Sequence, residues 1–398
     1  MNLRHMPAKL KMLIAYPAMM IGGSTTSLLS ILSLLDYGRY DVDLLLNRNT
    51  GELLDKLPPQ VRLLPPALKY PGRRSGLLRR LLSPRYLWVY WQSRRISRRS
   101  GVAIHGPQYL EMKDVEFFRE IPDEYDVAVA FLEGDRCKFV ARHVNAKRKI
   151  AWIHVNYRDS GFDPDYDRST MAAFDRIVLV SDDCKRAFDE AFPELRERTC
   201  VIENILSAEV IRARAAEVCD YQVPQNRINL VTTCRINFRS KGLDRVISAW
   251  SRLSREGVRG LRWHIIGDGC DMPKLRDMID SAGLQDDIHL LGMQTNPYKF
   301  MRAMDLFFLP SRWEGKPMAV TEAFMLGLPA LVTEYSSARE QVRDGIDGMI
   351  LENSEEGIYR GLRFIAEHRE DIGKWRSNVL ACDYSNLPEM KKVEEILE

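Results

Sequence analysis

The stretch SRWEGKPMAVTEAFMLGLPALVTE, residues 311–334, places two glutamates, Glu314 and Glu322, eight positions apart in a run otherwise suited to a core. Just ahead of it, MDLFFLPS (304–311) is an apolar run of strand length. Gly315 and Pro317 punctuate a turn. PMAVTEAFMLG (317–327) reads as a helix, with Pro317 at the first helical position, where a missing N–H costs nothing. PALVTE (329–334) then returns as a strand. Strand, turn, helix and strand make one unit of a parallel sheet, with the turn at the carboxyl end of the first strand.

The same alternation runs outward in both directions. Upstream stand INLVTTCR (228–235), the helix LDRVISAWSRLSREG, LRWHIIGDG (261–269), the helix MPKLRDMIDSAG and the short strand IHLLG. Nearer the start, KMLIAYP (11–17) is followed by a glycine loop, the helical TTSLLSILSLLDYG and the strand YDVDLLL (40–46). YDVAVAFLEG, RKIAWIHV, FDRIVLVS and the helix DDCKRAFDEAF continue the series. The length of 398 residues suits two domains. The reading is two α/β domains, 1–206 and 207–375, with 376–398 a helix returning to the first.

Hydrophobic residues make up 45% and charged residues 28%, an ordinary soluble balance. A net charge of +3 does not point to nucleic acid. Seven cysteines without CxxC spacing suggest neither zinc nor a disulfide scaffold. With no signal-peptide pattern, the expectation is a cytoplasmic chain that does not span a membrane.

One segment differs. Residues 69–99, KYPGRRSGLLRRLLSPRYLWVYWQSRRISRR, contain many arginines, no acids, and Tyr86, Trp88, Tyr90 and Trp91. Basic residues with aromatic anchors suit an anionic bilayer surface, which makes Arg79, Arg80, Trp88, Trp91, Arg94 and Arg95 candidates for peripheral attachment to the inner face of the plasma membrane. The plainer alternative is a solvated helix pair with its aromatics packed on the domain.

A helix beginning at Met318 presents free N–H groups and a positive dipole end to an anion. Glu322, one turn in, would repel a phosphate it faced, so it is expected beside the anion, accepting from neutral hydroxyls. Glu314, in the loop, could do the same further along a ligand. An anion site flanked by two carboxylates matches a sugar–diphosphate–nucleoside. Alternatively, Glu322 only supports the helix start and Glu314 is a solvated loop residue.

The run PSRWEGKPMAVTEAFMLGLPALVTE…VRDGIDGMI resembles the signature of the retaining GT-B glycosyltransferases of family 4. CRINFRSKGLDRVISAW resembles that family's phosphate loop, HIIGDG and LLGMQTNPYKFMRAMDLFFLPS its base-side loops, and AWIHVNY its histidine strand. The likeness is strongest over 228–350, and EGKP with NPY resembles the branch that builds bacterial surface polysaccharides. It implies two Rossmann-like parallel-sheet domains facing across a cleft. It implies Glu314 on hydroxyls of the transferred sugar and Glu322 on the ribose. Arg235 and Lys241 would clamp the diphosphate, backbone amides near Lys316, Met318 and Ala319 would serve sugar and phosphates beside Pro317 in the donor-binding stretch, and Met293 would lie at the base. Gly23 would approach the phosphates from the first domain, and His154 would stand near the reaction centre. The implied partners are a nucleotide sugar, with a UDP-sugar favoured and GDP-mannose possible, and a saccharide or lipid-linked acceptor.

Two departures stand out. Five residues separate Arg235 from Lys241, where four is common, so Arg239 could compete for a phosphate. The glycine loop MIGGSTTS lacks the usual charged residue after its glycines. DPDYD (163–167) resembles the metal-binding motif of a different glycosyltransferase fold, but it stands far from the diphosphate motifs and reads as a polar loop. No metal and no cofactor are expected. A sugar-nucleotide epimerase or phosphorylase shares the fold, and a non-catalytic GT-B subunit is a third reading.

Overall fold

The computed structural model describes residues 9–68, 82–113, 118–119 and 121–398. Arg79 and Arg80 lie outside the described residues. The chain divides into two compact units, 1–205 with 388–398, and 206–387. The expected return segment 376–398 is therefore split. Its first residues finish the helix Arg369–Leu380 of the second unit, and only Pro388 onward joins the first.

The first unit is a seven-stranded parallel sheet of β1 (Leu10–Tyr16), β2 (Tyr40–Leu46), β3 (Arg62–Leu63), β4 (Glu124–Ala130), β5 (Asn145–Ile153), β6 (Arg176–Leu179) and β7 (Thr199–Val201), in the order β3-β2-β1-β4-β5-β6-β7. Met12 to Tyr16 of β1 are all buried, as a strand covered by helices on both faces demands. The C-terminal helix Glu389–Leu397 adds Val393 and Leu397 to this core, and the Arg148 guanidinium donates to the Ile396 carbonyl at 2.6 Å.

The second unit holds β8 (Ile228–Thr233), β9 (Leu261–Ile266), β10 (Ile288–Gly292), β11 (Leu306–Leu309), β12 (Ala330–Thr333) and β13 (Gly348–Leu351), ordered β10-β9-β8-β11-β12-β13 and parallel throughout. Successive residues of a strand serve opposite faces. Leu230, Trp263, Leu306, Phe308 and Leu331 build one core, whereas Val231, Ile266, Phe307, Leu309 and Val332 build the other. Both sheets place their loops for ligands at the carboxyl ends of their strands.

The basic segment supplies the helix Pro84–Ser100. Ser83 caps it by accepting from the Tyr86 amide at 3.2 Å, and Gly101 ends it at φ 71°. It packs on the helix His105–Met112, where a Cβ at Gly106 would lie 2.5 Å from the Ser93 carbonyl, so only glycine allows this approach. The aromatic face is not packed on the domain. Trp88 and Trp91 are each 58% exposed, and the Arg95 guanidinium lies 5.5 Å from the Trp91 ring centre. Among the described residues no helix is long and apolar enough to cross a membrane.

Candidate active site

In the second unit, three loops meet at the carboxyl ends of β8, β9 and β11. The loop after β8 carries Arg235 and ends in the short helix Phe238–Lys241, capped by the Asn237 side chain on the Ser240 amide. Gly242 follows at φ +66°, and a Cβ there would stand 2.5 Å from the Pro310 carbonyl. Glycine thus lets this loop touch the chain leaving β11. The Gly-Asp-Gly turn after β9 does the same: Cβ atoms on Gly267 and Gly269 would fall 1.9 Å from the Cys234 carbonyl and 2.2 Å from that of Ile236.

That close seating brings Lys241 to Glu314. Their charged atoms are 2.5 Å apart, and the Ser311 hydroxyl donates to the same Glu314 oxygen at 2.5 Å. Ser311 is itself tied to β12, its carbonyl accepting from the Thr333 hydroxyl. Glu314 is buried and Lys241 half-buried. This corrects the expectation of an exposed loop glutamate: the lysine and serine replace the water that an ionised carboxylate needs. Arg312 fastens the loop from the other side, pairing both nitrogens with Asp244 at 2.7 and 2.8 Å while Asn353 donates to its carbonyl.

The helix Met318–Met325 begins after Pro317 with no side-chain cap and no acid in its first turn, so its dipole end is left for a ligand. Lys316 and Ala319 are half-buried beside it, and Met318 is buried. Glu322 is buried and accepts from the Tyr298 hydroxyl at 2.9 Å. Burial raises its pKa, against the pull of that hydrogen bond and of Arg214. Tyr298 opens the helix that follows the loop of Met293, which is half exposed after β10. Arg235 is exposed and has no partner among the described residues, a cation still available to an anion.

In the first unit the glycine loop leads into the helix Gly23–Leu34, with Gly22 as an extended cap and no acid in the first turn. Where the loop lacks a charged residue, hydroxyls gather: Tyr16 pairs with Ser24 at 2.7 Å and Thr25 at 3.0 Å. His154 follows β5. Its amide donates to Glu133 at 3.0 Å, its ring packs 5.1 Å from that of Phe131, and Nε2 is buried without a hydrogen-bond partner. Burial lowers its pKa to about 3, keeping the ring neutral. It is therefore not a satisfied core histidine. The DPDYD segment is a helix start rather than a loop: Asp163 caps Pro164–Met171, and buried Asp167 is bonded to Gln108 and Lys138 at 2.7 Å each. Among the described residues no cluster of His, Cys, Asp or Glu is arranged to hold a metal.

Sequence reasoning missed Tyr298, Ser311, Glu133 and the Arg312–Asp244 pair. Tyr298 was within reach, since an apolar-neighboured Glu322 demands a donor; the other contacts depend on which loops meet.

The two Rossmann-like sheets and their loops define a GT-B fold, with an uncapped helix start near two buried carboxylates in the second unit. Residues 221–379 match the family model described as glycosyl transferases group 1. An uncharacterised glycosyltransferase of Methanocaldococcus jannaschii is 26% identical over 208 residues, 50% of this chain and 51% of that protein. The UDP-Gal:α-D-GlcNAc-diphosphoundecaprenol α-1,3-galactosyltransferase of Escherichia coli is 35% identical over 89 residues, 22% and 23% of the two chains. The chain thus aligns with about half the length, or less, of these curated relatives. Among solved structures, Anabaena HepE in complex with UDP and glucose has a TM-score of 0.68 at 16% identity, covering 98% of this chain and 99% of that one.

Proposed function

We propose that the chain is a glycosyltransferase that moves a sugar from a nucleotide sugar, with a UDP-sugar favoured, to a saccharide or lipid-linked saccharide acceptor in cell-surface polysaccharide synthesis. The observation that carries this reading is the Lys241–Glu314 pair beside the uncapped helix start at Met318. As the glycosidic bond breaks, charge builds on the phosphates. Lys241 has three donors, so it can hold Glu314 and a phosphate oxygen together. Arg235 adds a second cation, and the helix amides add fixed dipoles, so charge is stabilised without reorganising water. Glu314 accepts from hydroxyls of the sugar and Glu322 from the ribose. The UDP in the HepE structure and the diphosphoundecaprenol in the relative's name support the donor and acceptor classes.

In this reading the fixed cations replace a divalent metal, and transfer proceeds with retention, the departing phosphate helping to deprotonate the acceptor on the same face. This reading assigns His154, whose ring is neutral with a buried, unpartnered Nε2, to the reacting sugar and Gly23 to the phosphates. The exposed Trp88 and Trp91 with Arg94 and Arg95 hold the first unit against the inner face of the plasma membrane. The same site argues against an epimerase or phosphorylase and against a non-catalytic subunit.

A thermal-shift panel of UDP, GDP, ADP and TDP, in chelator, tests the reading. UDP at about 100 times its dissociation constant should add about 2.7 kcal/mol. No stabilisation by any nucleoside diphosphate, or stabilisation only with added magnesium, refutes it. Product NMR showing an inverted anomeric centre would remove the retaining mechanism alone.

A further inference from the structure

In the first unit, the turn that leaves β4 carries Glu133, Gly134 and Asp135 into the helix Asp135–His143. Asp135 Oδ2 accepts from the Asn47 amide nitrogen at 2.9 Å and from Arg136 Nη2 at 3.1 Å, and Oδ1 accepts from Arg136 Nε at 3.3 Å. The Arg136 side chain is fully buried, with the rings of Phe118 and Phe139 5.8 and 5.3 Å from its guanidinium. The Asp135 side chain is 39% exposed.

A guanidinium buried behind a half-exposed carboxylate is a poor way to stabilise a fold, because desolvation can exceed the attraction and an apolar side chain serves as well. The arrangement is costly in a second way. Arg136 Nη1 and Asn47 Oδ1 are both buried with no hydrogen-bond partner, and such orphans destabilise. What the cluster does achieve is to fix Asp135. Burial pushes its carboxyl up, but Arg136 and the hydrogen bonds outweigh that and hold it below the usual carboxylate range. The result is an oriented, ionised carboxylate at the carboxyl end of a parallel sheet, where ligands of such sheets bind. It is also two residues from Glu133, which holds the His154 amide.

We propose that Asp135, positioned by Asn47 and Arg136, binds hydroxyls of a neutral saccharide, the acceptor of the reaction proposed above, on which that assignment rests. Of the bonds Asp135 accepts from side chains, two fall on Oδ2 and one on Oδ1, so Oδ1 has more room for a sugar O–H. The ligand-facing member of the pair is the anion, so an acidic sugar or a phosphate is repelled there.

The test uses saturation-transfer NMR on the full chain with methyl α-glucopyranoside, methyl α-galactopyranoside and methyl α-glucuronopyranoside as probes, and a UDP thermal shift on the same samples. The neutral glycosides should bind better than the glucuronide. Asp135→Ala should weaken the neutral probes about tenfold, the loss of one hydrogen bond to a charged group. Asp135→Asn keeps the shape and should narrow the gap between neutral and acidic probes. UDP stabilisation should survive both changes. Neutral-probe binding that ignores both substitutions in folded protein, a glucuronide that binds the wild type as well as the neutral probes, or no neutral-probe signal, overturns the proposal. Asp135-dependent sugar binding without any UDP shift would instead refute the nucleotide-sugar reading and leave the saccharide site standing.

Discussion

At the carboxyl ends of the two sheets, the candidate site residues differ in how they are bonded. In the second unit, the described functional side chains are largely bonded to one another before any ligand arrives: Glu314 to Lys241 and Ser311, Glu322 to Tyr298. In the first, His154 Nε2, Asn47 Oδ1 and Arg136 Nη1 are buried without partners. Two histidines show the contrast. His264 in β9 and His154 after β5 both have pKa values lowered by burial to about 3. Yet His264 is satisfied on both nitrogens, by Tyr221 at 2.8 Å and Asn229 at 3.1 Å, and His154 is not satisfied on Nε2. An equal shift can therefore accompany a ring bonded on both nitrogens or one with an orphaned nitrogen, and hydrogen-bond accounting separates them. The two carboxylates of the second unit are thus already bonded, although Thr233 Oγ1, Arg245 Nε and Asn353 Oδ1 near them are also buried without partners.

The largest expected effect breaks the bonded pair of the second unit. Lys241→Ala and Glu314→Ala should each lower kcat by about 10²- to 10³-fold, as for loss of one preorganised group. Lys241→Ala should also weaken UDP, whereas Glu314→Ala should largely spare it. Because the pair is partly buried, both should also destabilise the fold, by roughly 2 kcal/mol, less than a fully buried pair. Titration calorimetry with UDP and denaturant melts check this. Equal loss of UDP affinity in both variants contradicts the assigned roles.

Next is the outer surface of the first unit, where the contrast predicts attachment without any effect on the nucleotide. Changing Arg94 and Arg95 to glutamine should weaken binding to anionic vesicles about 30-fold, at about 1 kcal/mol per charge. Trp88→Ala with Trp91→Ala should weaken it on neutral vesicles as well. UDP stabilisation should not move. Vesicle co-sedimentation that is indifferent to lipid charge and salt sinks the membrane reading, and the helix Pro84–Ser100 is then a solvated face.

The strands and the turn of residues 311–334 were legible because period-two and period-3.6 patterns are local, and because Pro317 and Gly327 mark a helix's ends wherever it packs. Glu314 and Glu322 stood out as candidates, since two acids in an apolar run call for an explanation. Their partners did not. Lys241 is 73 positions from Glu314 and Asp244 is 68 from Arg312. The sequence around either shows a surface-type charge, and only the glycine-permitted approach of the loops turns it into a partly buried pair. DPDYD was misjudged for a related reason: Asp167 is buried because Lys138, on another helix, meets it.

The two histidines give a third test, on stability against pH. His264 is neutral in the fold and takes a proton near pH 6.5 when unfolded. The unfolded state then binds more protons below pH 6.5, so stability is fully present above that value and falls as pH drops toward 3. Between pH 7 and pH 5 the loss should be about 2 kcal/mol for this residue. His264→Gln should have a flatter profile, at the expense of overall stability. His154→Gln should cost activity while leaving the melting temperature nearly unchanged at pH 7. If the effects of the two substitutions are interchanged, the hydrogen-bond criterion that separates the histidines is wrong.

The smallest expected effect probes the second carboxylate of the second unit. Tyr298→Phe deletes the hydroxyl that donates to Glu322 and nothing else of the ring, over which the Arg214 guanidinium sits at 5.0 Å. Burial already raises the Glu322 pKa, and the Tyr298 bond is the larger of the two effects opposing it. Without that bond the carboxyl becomes easier to protonate, and an ionised carboxylate loses a donor in a buried place, at about 1–3 kcal/mol. A protonated Glu322 has less capacity to accept from two ribose hydroxyls. The variant should therefore bind UDP almost as well as wild type at alkaline pH and lose affinity sooner as pH falls, moving the acid limb of the binding curve upward. Calorimetric UDP affinity from pH 5 to pH 8.5 reads this directly, and deoxy-UDP is the control because it lacks one of the hydroxyls in question. Parallel curves for wild type and Tyr298→Phe, or an equal effect on both ligands, would show that Glu322 supports the helix start without touching the ribose. The second unit would then carry one working carboxylate, Glu314, rather than two.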